Sequence, residues 1–278
     1  MRPRPLAFMD ASSTLEEADY VLFGVMYDET SSFRRGSKWA PPHIRMASYN
    51  LESFSIHHEA EVRGLRLHDA GDFGPEDFSD PEEMVLSVAQ FLRELLSQGK
   101  CPIVLGGEHT LTVAAARALR APILYVDAHA DFREEYMGRR LCHACQARRV
   151  AEELGVSSIT IVGVRSISAG EYEDAVEMGL RMYYPWDLPK PEEILRDLDR
   201  VYISIDLDGL DPSVAPGVSN PEPGGLSYEY VRDLVRLAAP RAVGMDVVEG
   251  NPIYDNGNTM VLAAKLVQEF LLSRETQI

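Results

Sequence analysis

The stretch APILYVDAHADF (residues 121–132) places three ionisable side chains directly after a short apolar run. The run has the length and composition of a buried strand. Asp127, His129 and Asp131 follow at every second position, so they point to the same side if the chain stays extended. Burying two carboxylates and an imidazole together is costly unless an opposite charge compensates them. The sequence therefore predicts a buried strand that ends in a compensated charged site.

Similar apolar runs alternate with amphipathic stretches along almost the whole chain, which is typical of a parallel sheet covered by helices. No repeat, low-complexity tract or charged linker divides the sequence, so we predict one α/β domain over residues 1–278. The predicted strands are residues 20–26, 101–105, 123–126, 158–164, 201–205 and 242–247. The predicted helices are residues 81–98, 110–119, 144–154, 168–178, 191–198, 227–239 and 258–273.

The composition narrows the classes of partner. With 44 Asp and Glu against 27 Lys and Arg, the formal charge of −17 argues against nonspecific nucleic-acid binding. No stretch is long enough to span a bilayer, and residues 1–10 lack the apolar core of a secretory signal, so we expect a cytoplasmic protein without a membrane partner. Three cysteines give no disulfide framework and fit a reducing compartment.

Four of the predicted strands run into acidic or imidazole groups at their carboxyl ends, where open α/β sheets place their ligands. The segments are GGEHT after Leu105, DAHAD after Val126, DLDGLDP after Ile205 and DVVE after Met245. Any one of these aspartates is more often a helix cap or a turn residue. The alternating D-x-H-x-D and D-x-D patterns favour a metal site instead, because caps need no alternation.

Six side chains are candidate metal ligands, too many for one ion that keeps an open position. They are His109, Asp127, His129, Asp131, Asp206 and Asp208. Carboxylates and imidazoles without thiolates suit harder divalent ions such as Mn(II) better than structural zinc. Four ionised aspartates carry −4 and two divalent ions carry +4, so a pair of ions would compensate the buried carboxylates.

These segments resemble the signatures of a known family. His109 in GGEHT, the run DAHAD, and SIDLDGLDPSVAPG with PEPGG are similar to the three metal-binding signatures of the ureohydrolase superfamily, the arginases and agmatinases. TSSFRRGSKWAPPHIR and DVVEGNPIYD resemble its first and last segments, so the match covers about residues 24–255. The pattern is closest to agmatinases, especially archaeal forms.

The resemblance implies a three-layer α/β/α sandwich with a mainly parallel sheet and a binuclear manganese site. By motif, His109, Asp127, Asp131 and Asp206 would hold one Mn(II). Asp127, His129, Asp206 and Asp208 would hold the other, with Asp127 and Asp206 bridging. The resemblance also implies a homotrimer or a homohexamer.

The implied reaction is hydrolysis of a guanidino group by a hydroxide that two divalent ions make available at neutral pH. Asp131 is the candidate for moving a proton to the departing amine. Glu249 is predicted to orient the substrate guanidinium through a carboxylate fork. His143 resembles the family's histidine at the mouth of the site and is predicted to contact substrate and to shuttle protons. Asp246 is a candidate support for a metal ligand.

Some features have simpler interpretations. Cys142 and Cys145 form a C-x-x-C pair, but no second pair exists, so small buried residues at a helix start explain them better than zinc or redox chemistry. Four other histidines, His43, His57, His58 and His68, lack ligand-like spacing and are predicted to be surface or structural residues. Asp211 is predicted to turn the chain without touching metal.

The favoured substrate is agmatine, which would give urea and putrescine for polyamine biosynthesis. Arginine, an aminopropylated agmatine, guanidinobutyrate or formiminoglutamate would use the same machinery. Two other functional classes are possible alternatives: a deacetylase-like amidohydrolase with one zinc, and a binding protein that keeps the fold but has no catalytic activity. Glu108, the 218–220 segment Val-Ser-Asn and Ala40 depart from the commonest family pattern, and of these the 218–220 segment bears most on the substrate.

Overall fold

The computed structural model describes residues 6–276, and its centre is a sheet of eight parallel strands. Residues 1–5, part of the segment on which the expectation about a secretory signal depends, lie outside the described residues. The strands of the sheet are β1 (Tyr20–Val25), β4 (Leu67–Phe73), β5 (Cys101–Gly106), β6 (Ile123–Val126), β7 (Ile159–Val162), β8 (Arg181–Tyr183), β9 (Val201–Asp206) and β10 (Ala242–Val248). Their order is β4-β1-β5-β10-β9-β6-β7-β8, and β2 (Phe54–Ser55) with β3 (Ala60–Glu61) forms a separate hairpin.

Helices cover both faces of the sheet. They are α1 (Ala40–Ser48), α2 (Pro81–Ser97), α3 (Thr112–Leu119), α4 (Gln146–Leu154), α5 (Ala169–Met178), α6 (Pro191–Ile194), α7 (Tyr228–Ala238) and α8 (Asn258–Thr276). One apolar core joins the sheet to α1, α6, α7 and α8, and a second joins the opposite face to α2, α3, α4 and α5. The predicted three-layer sandwich with a mainly parallel sheet is confirmed.

The six predicted strands are all present, but the two edge strands of the sheet were missed. Strand β4 (LHDAGDF) is largely polar and half exposed, so it lacks the apolar run that marked the central strands. Strand β8 has only three residues, all of them partly exposed. An edge strand pairs with a neighbour on one side only, so less of it is buried than of a central strand. Its hydrophobic pattern in the sequence is weaker for that reason.

Helix predictions differ from the structure mainly at their ends. The helix predicted for residues 191–198 stops at Ile194, while the one predicted for residues 258–273 continues to Thr276. Helix α1 was not predicted, because its first turn carries Pro41 and Pro42 and reads as a loop. In the structure these prolines occupy positions where a helix needs no N–H donor.

A buried ion pair attaches α1 to the edge of the sheet. Arg45 is fully buried, and its guanidinium donates to Asp69 at 2.7 and 2.8 Å and to Asp72 at 2.6 Å. These carboxylates raise the pKa of Arg45 against the opposing effect of burial. Both carboxylates belong to β4, so this pair holds the polar edge strand that the hydrophobic pattern did not reveal.

The register of the four central strands determines where the site lies. Val247 of β10 is level with Leu105 of β5 and Ile205 of β9, and Ile205 is level with Val126 of β6. The segments that follow these four residues therefore leave the sheet at the same edge and at the same height. This edge carries the acidic and imidazole groups that the sequence singled out.

Candidate metal centre

His109 lies at the centre of a first group of possible metal ligands. Its Nδ1 atom is 3.2 Å from a carboxylate oxygen of each of Asp127, Asp131 and Asp206. His109 follows β5, while the aspartates follow β6 or end β9. Ligand atoms of His109, Asp127 and Asp206 lie close enough together to hold one ion. Asp131 adds a fourth oxygen next to the same imidazole nitrogen.

A second group shares Asp127 with the first. His129 Nδ1 is 3.1 Å from Asp208 Oδ2 and 3.6 Å from Asp127 Oδ1, and these three residues also have ligand atoms close enough for one ion. The two oxygens of Asp127 thus face different histidines, Oδ2 towards His109 and Oδ1 towards His129. This is the arrangement that a bridging carboxylate needs. Asp206 groups only with the first set in the described residues.

Backbone N–H groups fix the orientation of these carboxylates. Asp127 Oδ1 accepts from the backbone of His129 at 2.7 Å, and Asp206 Oδ1 accepts from that of Asp208 at 2.8 Å. Asp208 Oδ1 accepts from the backbone of Ala128 at 3.1 Å, which joins the β6 and β9 loops. Each carboxylate is therefore oriented before any ligand binds, which lowers the entropy cost of binding.

The chain takes strained backbone conformations at two site residues. Asp131 has φ of 46° and Glu249 has φ of 59°, values that non-glycine residues adopt uncommonly. The carbonyl of Asp131 accepts the backbone N–H groups of Ala147 at 3.0 Å and Arg148 at 3.4 Å, in the first turn of α4. The α4 terminus thus holds the bend that directs the Asp131 carboxylate towards His109. Such strain is concentrated at functional sites.

The environment of His109 fits a metal ligand. Its Nε2 lies 3.0 Å from the hydroxyl of Ser204, which donates to Asp246 at 2.7 Å, so the hydroxyl oxygen is free to accept the Nε2–H of His109. On the opposite side of the ring, buried Nδ1 has no hydrogen-bond partner among the described residues, although three carboxylate oxygens surround it. A cation at this point would attract both the nitrogen lone pair and the carboxylates.

The charges of the cluster strongly perturb its titration. Burial disfavours protonation of His109, but the neighbouring carboxylates of Asp127, Asp131 and Asp206 hold its pKa well above the ordinary value. Burial and the neighbouring Asp127 charge raise the pKa of Asp131 to about 7. Burial and the charges of Asp208 and Asp127 raise the pKa of Asp206 well above normal. Divalent cations would replace the bound protons and favour the ionised carboxylates.

Glu249 lies next to the cluster and is almost fully buried. Its Oε1 accepts the backbone N–H of His109 at 2.8 Å, and its own N–H donates to the carbonyl of Gly107 at 2.8 Å. Burial and the nearby Glu108 charge raise the pKa of Glu249 well above normal. A carboxyl group in this state would be stabilised as an anion by a bound cation.

His143 is held by a chain of hydroxyl and carboxylate groups. The hydroxyl of Thr30 donates to Glu108 Oε1 at 2.5 Å and lies 3.2 Å from His143 Nδ1, so it can accept the Nδ1–H of that ring. Ser32 Oγ lies 3.3 Å from Nε2. Burial and the charges of His129 and His109 lower the pKa of His143 to about 4. At neutral pH the ring is therefore neutral, with Nε2 available to take up a proton.

A cavity of about 360 Å³ opens beside the cluster. Its wall includes His129, Asp131, His143, Asn220 and Glu222. Glu249 lies outside this wall, and so does His109. A larger cavity of about 560 Å³ includes none of the six candidate ligands, so we place the chemistry at the smaller one.

Sequence reasoning did not single out Thr30, Ser204 or Glu222. Ser204 lies two residues before Asp206 on β9 and therefore shares its side of the strand, a signal that the sequence contains. Thr30 and Glu222 lie in the quoted segments TSSFRRGSKWAPPHIR and PEPGG, but no spacing rule links them to the cluster. The predicted supporting role of Asp246 matches its position, since it binds both Ser204 and Thr112.

The remaining predictions concern residues around the site. Cys142 and Cys145 are free, buried thiols next to the start of α4. Asp211 turns the chain as predicted, because its carboxylate accepts from Ser213, Gly224 and Gly225. His58 is buried and lies 2.7 Å from Glu269, and neither residue belongs to the two ligand groups. Over the described residues, the helices are too short or too polar to cross a bilayer.

Comparison with known proteins supports the family resemblance. The sequence model of the Arginase family matches residues 18–273. An agmatinase of Bacillus anthracis is 36% identical over 277 residues, which covers 95% of each chain. The N(1)-aminopropylagmatine ureohydrolase of Thermococcus kodakarensis is 35% identical over 272 residues, 91% of this chain and 89% of that protein.

The fold comparison agrees with the sequence comparison. The crystal structure of the agmatine ureohydrolase of Thermoplasma volcanium superimposes with a TM-score of 0.94 at 44% identity, covering 98% of this chain and 95% of that one. The match includes the parallel sheet and the helices on both of its sides. This chain therefore belongs to the arginase family and is an agmatinase-like hydrolase of the ureohydrolase superfamily.

Proposed function

We propose that this protein is a binuclear manganese hydrolase that cleaves agmatine to urea and putrescine. The observation that carries the proposal is the pair of ligand groups that share Asp127 beside an open cavity. Two histidines and four aspartates from three strand ends supply nitrogen and oxygen donors and no thiolate. This donor set suits Mn(II) better than structural zinc.

The proposed ligands keep the assignment that the motifs imply. His109, Asp127, Asp131 and Asp206 would hold one ion, and Asp127, His129, Asp206 and Asp208 the other. When bound, two divalent ions would lower the pKa of a shared water and so supply a hydroxide nucleophile at neutral pH. The six donors distinguish this proposal from a single-zinc amidohydrolase, which would leave several buried carboxylates uncompensated.

The other site residues would orient the substrate and move protons. Glu249 would pair with the guanidinium, which would stabilise the ionised form of a carboxyl whose pKa is raised. Asp131, in the wall of the cavity, would carry a proton to the departing amine nitrogen. Neutral His143 would exchange that proton with solvent through its Nε2, since Thr30 holds the opposite side of the ring.

Agmatine is favoured as substrate because the proteins similar to this chain include agmatinases and an agmatine ureohydrolase. The relative described as N(1)-aminopropylagmatine ureohydrolase makes aminopropylagmatine the second candidate. The product putrescine would place the enzyme in polyamine biosynthesis. We further propose a cytoplasmic homotrimer or homohexamer.

Urea release tests the proposal directly. The purified protein would be loaded with Mn(II) and assayed on agmatine, aminopropylagmatine, arginine, guanidinobutyrate and formiminoglutamate, with formamide measured for the last. We expect the highest kcat/KM on agmatine and two ions per chain by elemental analysis. Release of no product from any of these compounds would reject the hydrolase, and a single bound zinc would favour the amidohydrolase class.

A further inference from the structure

We propose that Glu222 binds a second positive charge of the substrate, the one distant from the guanidinium, and so selects dicationic guanidines over those with a neutral or anionic end. The inference rests on the proposed function, because it assigns a specificity residue to the same cavity. Glu222 belongs to the PEPGG segment, where the sequence analysis gave it no role, and the structure places it in the wall of the cavity.

Glu222 lies in the cavity wall next to a proposed metal ligand. Its Oε1 is 3.9 Å from His129 Nε2, on the side of the imidazole opposite the Nδ1 that faces Asp127 and Asp208. One imidazole ring therefore separates Glu222 from the second ligand group. A short alkyl chain can span this separation when the guanidinium at one end lies at the cluster. The butyl chain of agmatine is such a chain.

Glu222 is the wall carboxylate with an uncompensated charge. Glu171 accepts from the backbone of Phe132 at 2.9 Å and pairs with Arg133 at 3.3 Å, and the Arg133 guanidinium also lies 5.1 Å from the ring centre of Tyr136. Asp131 belongs to the proposed metal site. Among the described residues, the Glu222 carboxylate has only the distant contact with His129, which would be neutral once it binds a metal ion.

These contacts determine which charge is preferred at the substrate end distant from the guanidinium. Because Arg133 is already paired, the cavity offers no free cation in its described wall for a substrate carboxylate. Glu222 would attract an ammonium and repel a carboxylate at the same position. The carboxylates of arginine, guanidinobutyrate and formiminoglutamate are therefore disfavoured here.

The backbone around Glu222 is fixed relative to the metal ligands. Arg165 donates to the carbonyl of Glu222 at 2.8 and 3.1 Å, and the same guanidinium donates to the carbonyl of Asp208 at 2.6 Å. On the other side, Asp211 accepts from the backbone of Gly224 and Gly225 at 2.8 and 3.0 Å. This rigid attachment fixes the distance between the Glu222 carboxylate and the metal ligands. A fixed distance favours substrates whose alkyl chain has the matching length.

A comparison of agmatine with butylguanidine isolates the proposed contact, since the two differ only in the terminal ammonium. In Glu222→Gln we expect the KM for agmatine to rise roughly tenfold, the lower end for a charged hydrogen bond, because the side chain is about a third exposed. The kcat and KM for butylguanidine should stay within twofold, and guanidinobutyrate should become a better substrate. Glu177→Gln, an exposed carboxylate on α5, is the matched control.

Calorimetric titration of Mn(II)-loaded protein with agmatine and butylguanidine tests the contact without turnover. The inference predicts that Glu222→Gln removes the wild-type preference for the dication. Equal changes for both ligands, or no change for either, would overturn it. Absence of urea from every guanidine would reject the proposed function alone, while a retained, Glu222-dependent preference in binding would still support the contact.

Discussion

The Nε2 atom of His109 and the hydroxyl of Ser204 lie 3.0 Å apart, and Ser204 in turn donates to Asp246 at 2.7 Å. These two hydrogen bonds orient the imidazole so that Nδ1 faces the three carboxylates of the first ligand group. Such supporting contacts determine both the ring orientation and the basicity of a ligating histidine.

Replacing Ser204 with Ala should therefore weaken metal binding without removing a ligand. We expect a loss of about 10- to 100-fold in Mn(II) affinity, the usual cost of removing a supporting partner. Titration with a metal-buffered series measures it. Ser273→Ala removes a buried hydroxyl of α8 that has no hydrogen-bond partner among the described residues and serves as the control. Equal affinities in the two variants would contradict the role of Ser204.

The shared position of Asp127 predicts unequal effects of ligand substitutions. His129→Asn removes a donor of the second group only, so one ion per chain should remain after gel filtration. Asp127→Asn weakens a donor common to both groups and should leave fewer than one ion. Elemental analysis gives the stoichiometry, and circular dichroism checks that both variants fold. Identical metal content in the two variants would argue against a bridging carboxylate.

Substitution of Glu249 by Gln tests charge separately from structure. A glutamine oxygen can still accept the backbone N–H of His109, so the local backbone conformation should not change. Loss of the charge should lower kcat/KM on agmatine by about 100-fold or more, in line with the ~2–5 kcal/mol cost of unpairing a buried charge. Metal content should not change. If activity persists near the wild-type level, the guanidinium binds elsewhere.

The hydroxyl of Thr30 should matter through His143. Thr30→Val removes the acceptor for Nδ1–H while keeping the side-chain volume, so the ring can change tautomer and orientation. We expect kcat to fall about tenfold or more, part of the contribution that a positioned proton-transfer group makes. Thr30→Ser keeps the hydroxyl and should recover most of the rate. A serine variant as slow as the valine variant would point to packing instead.

The buried pair between Arg45 and β4 makes a prediction about stability. Arg45→Met leaves Asp69 and Asp72 without their cation, and we expect a loss of about 3–5 kcal/mol in the free energy of unfolding. Urea denaturation followed by circular dichroism measures the change. Arg66→Met breaks an exposed pair with Asp19 and should have a much smaller effect. Equal losses would show that burial does not determine the cost at Arg45.

Much of the fold could be predicted from the sequence because its signals are local. The central strands are apolar runs, and amphipathic helices follow them with the expected period. The edge strands β4 and β8 gave no such signal, since a half-exposed strand tolerates residues such as His68, Asp69 and Arg181. Helix α1 was missed because prolines that suit a helix start also suit a loop.

The extended conformation expected from Asp127 to Asp131 is not present, because β6 ends at Val126 and Asp131 has φ of 46°. The sequence by itself nevertheless identified the six candidate ligands, because the motifs that follow the apolar runs contain them, and the same motifs supplied the family. Only the tertiary structure decided what surrounds them. Ser204 supports His109 across 95 positions of the chain, Thr30 reaches His143 across 113, and Glu222 lies beside His129. These contacts depend on the register and order of parallel strands, and no spacing along a single strand encodes which segments those strands bring to the same edge.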